Sequence, residues 1–161
     1  MVKNTVATLV ALLVGALPVL LVPYAIAIST GGTHAATPAF FRIASVLIAA
    51  LGITIVAWVS LAFVMQGKGT PIPILPPKEF VAQGLYRHVR NPMYIGGLLI
   101  VMGQTTFFLS PSLLLYTLIL WLALHSFVVF IEEPQLEQRF GTSYRQYKAR
   151  TPRWFPRRPN D

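Results

Sequence analysis

Residues 94–131 read YIGGLLIVMGQTTFFLSPSLLLYTLILWLALHSFVVFI, two apolar runs hinged at Ser110-Pro111. Neither run holds an Asp, Glu, Lys or Arg, and His125 is their one histidine. At a rise of ~1.5 Å per helical residue each run approaches the thickness of a ~30 Å hydrocarbon core. Uninterrupted apolar runs of this length exceed ordinary strands, so both are read as helices. Residues 94–109 and 112–131 are accordingly two membrane spans, and the short break between them makes an antiparallel helical hairpin.

The same test, applied upstream, finds residues 43–65, opened by Arg42, and residues 5–28, interrupted by Pro18 and Pro23. Those prolines should kink the first span, which a membrane tolerates when neighbouring groups bond the freed carbonyls. Lys3 and the small residues ending in His34-Ala35-Ala36 also suit a signal peptide, but the apolar run is long for one, so it is read as a retained helix. The expectation is therefore an all-α integral membrane protein of four transmembrane helices. Composition agrees: of 161 residues 55% are hydrophobic and 11% charged, with mean hydropathy +0.62, which leaves too little polar surface for water. The length suits one membrane domain, residues 1–161.

Thirteen Lys and Arg against five Asp and Glu give a net charge of +8. In a membrane chain that excess points to anionic headgroups and away from nucleic acid. Twelve of the thirteen basic residues fall before span one, between spans two and three, or after span four, with Arg42 alone on the other side. Both termini should thus be cytoplasmic and the protein multi-pass. With no cysteine, disulfides, thiolate metal sites and cysteine nucleophiles are excluded, and His34, His88 and His125 lack ligand spacing, so no metal is expected.

The polar residues with chemical potential gather at that cytoplasmic face. After an extended proline-rich stretch at 69–77, Asn91-Pro92 reads as an N-cap with proline at the first helical position, which makes a helix N-terminus with Arg90 beside it an anion site. Counted from the Ser110-Pro111 turn, Pro92 and Glu132 return to the same level within about one helical turn. Glu132 and Glu133 therefore neighbour Arg90 and Asn91. One reading is a salt bridge to Arg87 or Arg90; the other is a functional carboxylate pair. Leu136, Phe140, Tyr144 and Tyr147 then share one face of a C-terminal amphipathic helix, with Gly141 in its middle and Pro152-Arg153-Trp154-Phe155-Pro156 closing it. His125, seven residues before Glu132, falls on its face about two turns deeper, with Gln104 as a candidate partner. Gly96, Gly97 and Gly103 either allow close helix packing or leave room for a ligand.

Gly84-Leu85-Tyr86-Arg87, Arg90-Asn91-Pro92-Met93-Tyr94, Glu132-Glu133, Leu136, Phe140-Gly141, Tyr144, Tyr147 and Pro152-Arg153-Trp154 resemble, in this order and spacing, the isoprenylcysteine carboxyl methyltransferase family and the related membrane phospholipid methyltransferases. The resemblance spans residues 66–158, the methyltransferase-like core, and leaves 1–65 as two scaffold spans. It implies that the C-terminal helices hold S-adenosylmethionine at the cytoplasmic face and that a lipid-like substrate enters from the bilayer. By position, Arg90, Asn91, Pro92 and Tyr94 match the first cofactor motif, and Glu132 and Glu133 match its paired glutamates. Asn91 stands where the family usually has histidine, and Val128 stands where prenylcysteine enzymes carry an arginine.

Such a cofactor brings its own electrophile, so positioning and electrostatics suffice without metal or nucleophile. The expected roles are Arg90 at the cofactor carboxylate, Glu133 at its ammonium, and Tyr94, Tyr144 and Tyr147 against adenine or the sulfonium. Glu132, with Arg90, is the expected catalytic group toward the acceptor, and His125 marks substrate access. The expected activity is methyl transfer to a small lipid-soluble acceptor. Phospholipid N-methylation is the rival within the enzyme class, and a non-catalytic membrane protein binding anionic lipid is the rival outside it.

Overall fold

The computed structural model describes residues 15–31, 37–66 and 83–157. The start of the first expected span, His34 and the proline-rich stretch lie outside them. Among the described residues every regular element is helical. Helix α1 is Leu17–Ser29, α2 is Ala39–Gln66, α3 is Pro92–Phe108, α4 is Pro111–Phe140 and α5 is Thr142–Arg150, with a single 3₁₀ turn at Gly84–Arg87 before α3. Among the described residues α1 and α3 are shorter apolar helices, and α2 and α4 are long and apolar enough to cross a membrane. Their outward faces are apolar: Phe40, Ile43, Leu47, Trp58, Leu115, Ile119 and Phe130 are all exposed, a surface that requires lipid. The protein is therefore membrane-associated.

Glycine sets the closest interface, α2 on α3. A Cβ on Gly52 would stand 2.6 Å from the Gly96 carbonyl oxygen, and one on Gly103 would stand 2.8 Å from Ala49 Cβ and 2.9 Å from Ser45 O. The two backbones touch along this seam as small residues permit in a bilayer. Gly97 differs, since a Cβ there would meet Val19 Cγ2 alone, at 3.4 Å. Gly96 and Gly103 thus pack against α2, and Gly97 faces α1, where a Cβ would come into ordinary contact with Val19.

Leu109, in the left-handed region at φ 47°, and Ser110, whose Oγ accepts from Leu113 N at 3.3 Å, turn the chain from α3 into α4. Thr105 Oγ1 and Thr117 Oγ1 meet at 3.0 Å near this turn, while at the far end Tyr94 and Glu132 meet, so α3 and α4 run antiparallel over their length.

Proline leaves two wide turns in the helices. Pro23 has no N–H, and the residue before it, Val22, donates to Leu17 O in a π-helical turn over Leu17–Leu21. The carbonyls this strands are bonded from other helices: Gln104 Nε2 donates to Val19 O at 2.7 Å and Tyr116 Oη donates to Pro18 O at 2.7 Å. Gln104 therefore serves α1, and the expected pairing with His125 is corrected. The same event recurs before Pro134, where Glu133 N donates to Val128 O and a π-helical turn covers Val128–Glu132. Helix α4 runs on through Pro134 to Phe140, so the expected end of the span at residue 131 is not a break.

The break falls at Gly141, with φ 53° and ψ −124°, a conformation that glycine takes without a Cβ clash. Its N–H closes α4 on Glu137 O at 2.9 Å, and its carbonyl opens α5 by accepting from Arg145 N at 3.2 Å. The expected single amphipathic helix is corrected to two, the end of α4 and α5, because a continuous helix gives up its weakest residue here.

Candidate active site at the charged end of helices three and four

Beyond α5, Thr151–Arg157 turns back across the start of α3. Arg90 N donates to Pro152 O at 2.9 Å, Arg157 N donates to His88 O at 3.0 Å, and Asn91 Nδ2 donates to Arg153 O at 3.1 Å. Asn91 occupies the N-cap position of α3, but its side chain makes no cap bond. The expected capping by Asn91 is corrected on this point: the amide is drawn away by an unpaired carbonyl of the returning segment. Pro92, buried at the first turn, fixes the direction in which α3 leaves.

This strap completes the surroundings of Glu133, which is 5% exposed. Arg90 Nη1 donates to Glu133 Oε1 at 2.8 Å, Arg153 Nε donates to the same oxygen at 2.7 Å, and Arg153 Nη2 donates to Oε2 at 3.0 Å. Lys148 Nζ stands 3.9 Å from Oε2 and donates to Glu137 Oε2 at 3.1 Å. The bonds from Glu133, and its charge, hold the Arg153 guanidinium above its ordinary pKa. Both oxygens of Glu133 are thus engaged by arginine, the salt-bridge reading of this residue, with Arg153 added to Arg90.

Glu132 points elsewhere, as adjacent residues of a helix must. Tyr94 Oη donates to Glu132 Oε2 at 3.0 Å, and among the described residues no ion pair to Glu132 occurs. The two carboxylates differ accordingly: one is neutralised by two guanidiniums and the other is held by a phenol.

Tyr144 is buried behind Arg90, and burial, with the Glu133 carboxylate second, pushes its phenol up to about 12. Burial also raises the Tyr147 phenol, whose Oη donates to Tyr86 O at 2.7 Å and ties α5 to the 3₁₀ turn. Both phenols remain protonated donors at neutral pH. Neither lines the charged cleft of about 460 Å³ that opens between Glu133, Glu137, Arg145 and Lys148. His125 accepts from Trp154 Nε1 at 2.9 Å through Nδ1 and stacks on that indole. The expected common face of His125 and Glu132 is offset by the intervening π turn: the consecutive residues Arg153 and Trp154 reach Glu133 and His125. Sequence reasoning has Pro152-Arg153-Trp154 only closing the amphipathic helix and misses Arg153 and Trp154 as site residues, although the motif itself is among those quoted.

One buried atom is left over. Arg90 Nε is buried with no hydrogen-bond partner among the described residues, and the same guanidinium lies against the Tyr144 phenol. With the Glu133 and Glu137 carboxylates, the Lys148 ammonium and the Arg145 guanidinium lining the adjoining cleft, the residues present fit the amino-acid end of S-adenosylmethionine.

Fold and site together define a membrane-associated helical protein with a dense charged cluster at one end of two packed helices. The chain belongs to the phospholipid methyltransferase family, whose model matches residues 40–143, and this places it among methyltransferases. It is also similar to the protein-S-isoprenylcysteine O-methyltransferase of Schizosaccharomyces pombe (strain 972 / ATCC 24843), 36% identical over 77 residues that make up 47% of this chain. That alignment spans 32% of the relative's own length. No solved structure matches the chain.

Proposed function

We propose that the protein is a four-span membrane enzyme that methylates a lipid-soluble acceptor from S-adenosylmethionine at the cytoplasmic face. In this reading residues 1–65 scaffold a core formed by residues 66–158, and α3 and α4 form a transmembrane hairpin. The observation that carries it is the buried Arg90–Glu133 pair, at 2.8 Å and on residues inside the family match, beside a cleft lined by Glu133, Glu137, Arg145 and Lys148.

When bound, S-adenosylmethionine supplies a methyl group on a sulfonium sulfur and departs as a neutral thioether. Arg90, with Lys148 near it, holds the carboxylate of the amino-acid end. Glu133 enters the site by fixing Arg90 and Arg153, and Glu137, at the edge of the cleft, is the carboxylate nearer to hand for the ammonium. Asn91 and Pro92 hold the strap and the start of α3, while Tyr144 and Tyr147 back Arg90 and the 3₁₀ turn. Glu132 faces the acceptor. Tyr94 engages its Oε2, so Oε1 remains to accept a proton from an acceptor N–H or O–H.

Calorimetric titration of the purified full chain with S-adenosylmethionine and with its demethylated product tests this reading. Binding is expected in the wild type and lost in Arg90→Ala that folds. Glu132→Gln should retain binding and lose ~10²-fold or more in turnover with a lipid extract and labelled cofactor, the usual scale for a removed general base. No binding by folded wild type would overturn the reading.

A further inference from the structure

Arg153 and Trp154 are consecutive in the strap, yet they grip α4 at two levels. Arg153 bonds Glu133, and Trp154 Nε1 donates at 2.9 Å to Nδ1 of His125, eight residues and about 12 Å of helix deeper into the span. In a regular helix residues eight apart diverge by about 80°, whereas residues seven apart diverge by about 20°. The π turn at Val128–Glu132 takes up one extra residue, so Glu133 falls where the seventh residue after His125 would stand, and both face the strap. An indole N–H can only donate, so His125 Nδ1 is the acceptor and the ring proton sits on Nε2. Trp121, one turn earlier on α4, lies with its ring centroid 5.5 Å from that of the imidazole and restricts how the imidazole can turn.

We infer that the Trp154–His125 pair is a positioning latch for the cofactor site: it sets the strap so that the Arg153 fork meets both oxygens of Glu133, and through Glu133 it sets Arg90. The strap's backbone bonds to the start of α3 stand at Pro152, Arg153 and Arg157, and none of them reaches the deeper part of α4. Phe155, the next residue, is 84% exposed, so the depth of the strap along α4 falls to Trp154. A guanidinium fork holds a carboxylate by two parallel bonds in one relative placement, and a strap displaced along α4 loses one of them while Glu133 stays buried. In the apolar setting of the span the indole N–H has no water to turn to, which makes the bond to His125 costly to break. His125, which the sequence marks for substrate access, is assigned to the strap instead. The inference rests on the methyltransferase reading for its effect on cofactor affinity, whereas the hold on Arg153 stands on the contacts themselves.

The test takes the full chain in detergent through two readouts: tryptic cleavage of the Arg153–Trp154 bond, followed by mass spectrometry, and calorimetric titration with the demethylated cofactor. Trp154→Phe keeps a ring and removes the N–H. It should speed cleavage by about fivefold, the scale of one neutral hydrogen bond where cleavage follows the open population. Affinity for the demethylated cofactor should fall by about two- to fivefold, short of the roughly tenfold loss expected for Arg153→Ala, since a positioning pair costs no more than the residue it positions. His125→Phe should match Trp154→Phe, and the double variant should be no worse than either. His125→Gln keeps an acceptor and should retain more affinity than His125→Phe. In an Arg153→Ala background Trp154→Phe should weaken the cofactor no further. Packing alone gives an additional loss in that background and no advantage to glutamine; either result overturns the latch, as does cleavage of Trp154→Phe at the wild-type rate. Trp154 lies outside the helices, so its variant decides the matter where His125→Phe fails to fold. Folded wild type that binds no cofactor sinks the enzyme while the cleavage readout still decides the latch, and cofactor binding with unchanged cleavage sinks the latch alone.

Discussion

Glu133 shows what a single carboxylate costs and organises. A carboxylate this buried is tolerated where cations and hydrogen bonds replace its water, and Arg90 and Arg153 supply both. The sequence made the Arg90 contact legible, because counting residues from the turn brings Pro92 and Glu132 to one level. Arg153 was illegible, since it arrives from a non-helical strap whose course depends on backbone bonds to His88 and Arg90. The two roles open to Glu133 separate in one variant. If Glu133 contacts the cofactor ammonium directly, Arg153→Ala frees its carboxylate and tightens binding. If Glu133 acts as the anchor of Arg90, Arg153→Ala loosens the anchor and removes a nearby cation. We expect the second outcome, roughly tenfold weaker binding or ~1.4 kcal/mol by titration, with Arg153→Lys recovering part of the loss. Tighter binding in Arg153→Ala would return Glu133 to direct contact.

At the scale of elements, proline and glycine decide where periodicity fails. The apolar runs read as helices from composition alone, and α2, α3 and α4 follow them to within a few residues at their starts. A run of apolar letters does not reveal whether proline ends a helix, kinks it or widens one turn. Here both Pro23 and Pro134 widen the turn before them, and the second of these turns carries Glu132 into the site. The first survives in an apolar setting because Gln104 and Tyr116 donate to the stranded carbonyls. Gln104→Leu should therefore cost about 1–3 kcal/mol of unfolding free energy, the penalty of a buried acceptor left unbonded. Pro23→Ala restores the N–H that α1 lacks, so in that background Gln104→Leu should cost much less. A cycle of the four proteins, followed by thermal unfolding in detergent, measures the coupling. Additive effects would mean that Gln104 stabilises the fold by packing and not through Val19 O.

Across the whole molecule charge is segregated from end to end. Arg42 sits where α3 turns into α4: its Nε donates to Thr37 O, and Thr37 in turn donates to Phe107 O. Arg90, Lys148 and Arg153 stand at the opposite end, with the glutamates. Basic side chains near helix ends are retained on the cytoplasmic side, so the site end should face the cytoplasm, where the donor cofactor is available. The two helices that meet the length test do not by themselves set the number of crossings. The decisive residues are the shorter α1 and α3, since a chain crossing four times returns its C-terminal strap to the side of the segment between α2 and α3. Reporter fusions at residue 70 and at the C-terminus should both read cytoplasmic, and a cysteine introduced at the exposed Thr30, at the far end of α1, should react with an impermeant maleimide from outside. If residue 70 and the C-terminus fall on opposite sides, α3 and α4 do not both cross, and the strap could not reach Arg90 within one leaflet. If both fall outside, the site stands on the wrong face for its donor and the proposed reaction fails with it.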